Sequence, residues 1–157
     1  MAVTVFRRRS NLSKLVDTSG GMTALAALRG AERETAEVRD EGRAILMEAL
    51  AALESAAGQP PSTVAWLDAV YAAAGDILDV CPAELPALYK AVHGLCELAD
   101  MQRRAGRLDA PPIQVHIAAL RPLSQPGQDL KAAAPVLAGL DALLRREAAK
   151  TVLPDAG

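Results

Sequence analysis

Chemistry in this 157-residue sequence has to begin from two histidines, two cysteines and a scatter of carboxylates. Cys81 and Cys96 form no CxxC pair and have no Cys/His cluster around them, so the spacing that zinc requires is missing and no metal site is expected. His116 sits between Val115 and Ile117, one helical turn from Ile113 and Leu120. That setting predicts a buried, neutral imidazole held by a single hydrogen bond. His93 falls one step off the apolar positions Leu88, Val92 and Leu95, near the surface of the same helix. Lys90 precedes it by one turn and Glu97 follows by one turn. Gly94 beside it lowers helix propensity by about 1 kcal/mol relative to Ala and leaves room for another protein to approach. The carboxylates Glu32, Glu34, Glu37, Asp40 and Glu41 alternate with arginines at i,i+3 and i,i+4 spacing. This reads as a solvated, salt-bridged helix face, because a catalytic carboxylate pair needs burial to shift a pKa. No P-loop, GxGxxG, GxSxG or HExxH motif occurs. The expectation is a protein that is not an enzyme, with no catalytic residue, no cofactor and no metal.

The elements that carry these side chains are legible from helical periodicity. A long helix is expected over 23–57, with Thr23 as N-cap. In its first half, Arg29 to Arg43, Val38 is the only large apolar residue among many charges. Its second half carries an apolar stripe of Ile45, Leu46, Leu50, Leu53 and Ala57. Gly58 and Pro60-Pro61 end it. A second helix spans 62–80, capped by Ser62, with Leu67, Val70, Tyr71, Ala74, Ile77 and Leu78 on one face. A third starts near Glu84, holds Pro86 in its first turn and ends at Gly106. Its positions Leu85, Leu88, Val92, Leu95 and Ala99 form a bundle seam. A fourth opens at Asp109 with Pro111-Pro112, sets Ile113, Ile117 and Leu120 on one face, and is stopped by Pro122 and Pro126-Gly127. A last helix, from about Pro135 to Lys150, carries Val136, Leu140, Leu143 and Leu144.

Composition agrees with this pattern. Apolar residues make up 51% and aromatic residues 3%, with Ala and Leu supplying the apolar mass. The fold class is therefore all-α, an antiparallel bundle of four to five helices with a long N-terminal helix and a flexible N-terminal arm. The organisation expected is a basic arm over 1–21, one bundle domain over 22–150 (the long helix 23–57 plus the bundle 62–150) and a frayed tail over 151–157. Lys plus Arg is 17 against 19 for Asp plus Glu, a net charge of −2. Neither nucleic acid nor membrane insertion is expected. No apolar run follows Arg7, Arg8 and Arg9, so no signal peptide is read, and a reduced cytoplasmic location is expected.

Several segments in order carry a resemblance. Arg8-Arg9-Ser10-Asn11-Leu12-Ser13-Lys14-Leu15 leads to Gly20-Gly21. Ala24-Leu25-Ala26-Ala27-Leu28 and the charged helix follow. Then come the stretch Tyr71 to Ile77, Leu95-Cys96-Glu97-Leu98, and Val115 to Leu123. This order resembles the small CheE proteins of alphaproteobacterial chemotaxis clusters, which are accessory proteins with distantly histidine-phosphotransfer-like (HPt-like) helices. The resemblance implies a non-enzymatic adaptor in chemotaxis or two-component signalling. Its partner would be a response regulator or a histidine kinase.

Two registers are open. If Tyr71–Leu78 is the HPt-like helix, Gly75 occupies the histidine position and the module is a pseudo-HPt. If Val92–Glu97 is, His93 becomes the phosphoacceptor, with Lys90 as its cation. In that register Cys96 and Glu97 depart from the Lys and Gly of the HPt motif, and Glu97 opposes a phosphoryl charge. The inactive register is preferred. Partner contact is expected around Tyr71, Asp76, Tyr89, Lys90 and His93, with Arg7, Arg8 and Arg9 as a docking arm. A further reading is an oligomeric structural protein, a homodimer in which the long helix pairs with its copy.

Overall fold

Alanine- and leucine-rich segments separated by Pro- and Gly-containing breaks fold here as helices joined by short turns. The structure is a computed structural model that describes residues 24–61 and 63–152. Five helices follow in order: α1 Ala24–Ala57, α2 Val64–Val80, α3 Pro86–Arg104, α4 Ala110–Leu123 and α5 Leu130–Val152. No strand occurs among the described residues, and no helix there is long and apolar enough to cross a membrane. The arm with Arg7, Arg8 and Arg9, the expected caps Thr23 and Ser62, and the tail after residue 152 lie outside the described residues. The chain divides into two compact units, Met1–Asp40 and Glu41–Gly157, with the division inside α1.

In the second unit α3 is the central helix, packed against α2, α4 and α5. Its buried face is Leu88, Val92, Leu95 and Ala99 with Ala87, Ala91 and Leu98, wider than a strict seam because three helices cover it. Leu46, Leu50 and Leu53 from the end of α1 complete the core. A two-pronged pair from Arg121 on α4 to Glu54 on α1, at 2.9 and 2.6 Å, fastens the end of α1, and it holds the Glu54 carboxyl below its ordinary range.

The turn after α3 follows from Gly106, whose φ of 60° is left-handed. The Gly106 amide donates to the Arg103 carbonyl (3.1 Å) and the Arg107 amide to that of Gln102 (3.0 Å), the two bonds of a Schellman stop. Buried Gln102 then fixes the rest of the turn. Its side-chain amide donates to the Asp109 carbonyl and accepts from the Asp109 amide, both at 2.9 Å.

Four expectations need correction. The last helix begins at Leu130 rather than Pro135. Asp129 is its cap, with its carboxylate accepting the Ala132 amide at 2.6 Å and its carbonyl the Ala133 amide at 3.1 Å. Pro135 is then tolerated in the second turn, on the exposed side. α4 ends at Leu123, between Pro122 and Pro126-Gly127 as expected. Ile45, Tyr71 and Val136 are exposed rather than core. In each case the buried stripe is rotated slightly from the one expected. It falls on Leu46, Leu50 and Leu53 in α1, on Trp66, Leu67, Val70, Ala74 and Ile77 in α2, and on Ala133, Leu140 and Glu147 in α5.

Candidate functional site

Gly94 is where the helices make room for a site. It is buried on α3 opposite α5, and a Cβ built there would lie 3.1 Å from Leu144 Cδ1 and 3.7 Å from His116 Nε2. The small residue therefore admits the chain's own helices α4 and α5 rather than another protein, which corrects the reading of Gly94 as an open approach. Beside it runs a surface groove of about 360 Å³, lined by Tyr89, Lys90, His93, Gly94 and Glu97 from α3 and by Asp141 and Leu144 from α5. Inward lies a smaller pocket of about 90 Å³. It shares Lys90, Gly94, Asp141 and Leu144 with the groove and reaches His116 on α4.

His116 is fully buried. Its Nδ1 lies 3.1 Å from the Pro112 carbonyl. A carbonyl only accepts, so in the neutral ring Nδ1 carries the proton and Nε2 presents a lone pair. Nε2 has no hydrogen-bond partner. Burial lowers the His116 pKa below its ordinary 6.5, while the Pro112 carbonyl and the Asp141 charge pull the other way. The expected buried neutral histidine with one hydrogen bond is thus present, and its second nitrogen faces the pocket.

His93 is at the surface as expected, with its side chain 55% exposed. Its Nδ1 stands 3.4 Å from the Glu97 carboxylate one turn on. Two carboxylates, Glu97 and Asp141, and one ammonium, Lys90, share the groove with it. A phosphoryl group on His93 would bring a further charge of about −2 among them.

Tyr89, Lys90 and His93 are brought together here. Tyr71 and Asp76 are not among the groove's lining residues; both are exposed on α2, and the Tyr71 ring lies under the Arg103 guanidinium, 5.7 Å from its centroid. Gly75, the histidine position of the inactive register, is half-buried with nothing within 4 Å of a built Cβ. Asp141 went unnoticed in the sequence, where it is one more acid on an amphipathic helix.

Glu147 was missed too. Its carboxylate is buried, accepts from Arg107 Nη2 at 3.0 Å and from Lys150 Nζ, and Lys150 also reaches Asp109 at 3.3 Å. The sequence did hold a signal for it: Glu147 falls seven residues after Leu140 and three after Leu144, on the apolar stripe of α5. Cys81 and Cys96 are free and half-buried, and burial pushes both thiols up, away from the reactive thiolate. Among the described residues no group of three or more His, Cys, Asp or Glu is placed to hold a metal ion. Compared with known protein families, with curated proteins and with solved structures, the chain finds no match.

Proposed function

We propose that this chain is a non-enzymatic helical adaptor of bacterial chemotaxis or two-component signalling. It acts in the cytoplasm and binds a response regulator or a histidine kinase through the groove between α3 and α5. The observation that carries this reading is the company His93 keeps. An exposed imidazole on the central helix of a bundle is a contact point for a partner, while Glu97 at 3.4 Å and Asp141 in the same groove oppose a phosphoryl group on it. Tyr89, half-exposed at the groove's edge, supplies the aromatic contact that protein interfaces favour. Arg7, Arg8 and Arg9 add a basic arm for an acidic partner.

The test combines capture and labelling. Pull-down from an extract of the source cell, with partners identified by mass, is expected to return a regulator or kinase whose binding weakens on Tyr89→Ala and survives His93→Gln. Incubation with a kinase and regulator charged with labelled phosphate is expected to leave the chain unlabelled. An acid-labile, base-stable label lost in His93→Gln would replace the adaptor with a true phosphotransfer protein, His93 being the acceptor and Lys90 its cation.

A further inference from the structure

From Leu25 to Glu41 every side chain of α1 is exposed, with Gly30 alone half-buried. A single helix of this length is marginal in water, and Gly30 and Gly42 each weaken it by about 1 kcal/mol relative to Ala. The expected lattice of salt bridges along it is not seen among the described residues. Among the described residues, no charged group between Arg29 and Arg43 takes part in an ion pair.

The same stretch presents an apolar seam. Leu28, Ala31, Thr35, Val38, Gly42 and Ile45 follow one another at alternating steps of three and four residues, the spacing of heptad a and d positions. Leu28 is 60% exposed, Val38 68% and Ile45 45%, high for large apolar side chains. Thr35, the one polar member, turns its hydroxyl back to the Ala31 carbonyl at 2.7 Å, so its hydrogen bond is made within the helix. Gly42 has nothing within 4 Å of a built Cβ, and Ala31 is small, so a second backbone can come close.

The flanking charges say what fits the seam. With Leu28, Thr35 and Gly42 at a, Glu34 and Glu41 take g positions and Glu32 and Arg39 take e positions. In a parallel, in-register pair each g residue meets the e residue five places on in the other helix. Glu34 then meets Arg39 of a second copy, twice by symmetry. Antiparallel pairing sets e against e and g against g, so each Glu32–Arg39 attraction is offset by a Glu34–Glu41 repulsion, and only the parallel pair gains attraction without that offset. We propose that α1 pairs in parallel with a second copy of this chain along the seam from Leu28 to Ile45. The pair is weak and concentration-dependent, because only three of the six seam residues are large and apolar. The inference stands apart from the groove reading, since it uses none of the groove's residues.

Sedimentation equilibrium of the full chain over a series of concentrations tests it. The expected result is a reversible monomer–dimer equilibrium that Val38→Asp abolishes, while the thermal unfolding of the bundle at concentrations where the chain is monomeric is unchanged because Val38 is 68% exposed. Arg39→Glu sets like charges opposite each other and raises the dimer dissociation constant roughly tenfold. Adding Glu34→Arg to it restores the pair. A wild-type chain that stays monomeric at its highest soluble concentration overturns the proposal. So does a dimer that survives Val38→Asp, or one that is indifferent to the Arg39→Glu exchange and its compensation.

Discussion

His116 makes the stability of this bundle depend on pH in a way that two histidines can isolate. In the folded chain its ring is fully buried and its pKa lies below the ordinary 6.5. In the unfolded chain it titrates near 6.5. Between the two values the unfolded state binds more protons, so stability rises with pH through that window. The contribution is fully present above about pH 6.5 and is lost progressively as pH falls toward the folded-state value. One group can contribute a slope of at most about 1.4 kcal/mol per pH unit. The Pro112 carbonyl and Asp141 favour the protonated ring and hold the loss short of what burial alone would impose.

The assay is urea unfolding of the wild type, His93→Gln and His116→Gln at steps from pH 7.5 to about 5, above the range in which ordinary carboxylates titrate. His93 is the only other histidine, and its variant separates whatever the surface imidazole contributes from the slope due to His116. His116→Gln should flatten the slope, whatever it does to stability at pH 7.5. A flat wild-type curve, or equal slopes in wild type and His116→Gln, would refute the assignment of a buried neutral imidazole.

Other perturbations follow from the packing. Leu95→Ala, at a fully buried position of the central helix, should cost about 2–5 kcal/mol in denaturant unfolding, and a change under about 1 kcal/mol would contradict its burial. Arg107→Ala removes one of the cations on the buried Glu147 carboxylate and should cost about 3 kcal/mol, the low end for a broken buried pair because Lys150 remains. Gly106→Ala forces a Cβ into the left-handed conformation and should cost about 1–2 kcal/mol by thermal unfolding, although nothing within 4 Å would touch the new methyl.

Helix content and most of the core could be read from the amino-acid order because both are local. Ala and Leu favour helix at each position, and a 3.6-residue repeat of apolar side chains marks a face without any knowledge of what covers it. That is why Leu88, Val92 and Leu95 were legible, and why His116, set among Ile113, Ile117 and Leu120, was read as buried. Periodicity is less informative at the edge of a stripe. Ile45, Tyr71 and Val136 are as apolar as their buried neighbours, and only the position of the facing helix leaves them in water. The start of α5 was misplaced for a different reason. Proline is a strong local signal, but the side chain and carbonyl of Asp129, bonded to Ala132 and Ala133, had already begun the helix. The groove is still less legible. Lys90, His93 and Glu97 share one face of one helix, so sequence groups them, but Asp141 and Leu144 join them only because Gly94 lets α5 pack close to α3. The buried Glu147 with Arg107 and Lys150 depends in the same way on a turn and a helix far apart in the chain. A buried charge there is stabilised by the cations of Arg107 and Lys150, and the approach of Arg107 from the turn after α3 is decided by tertiary packing.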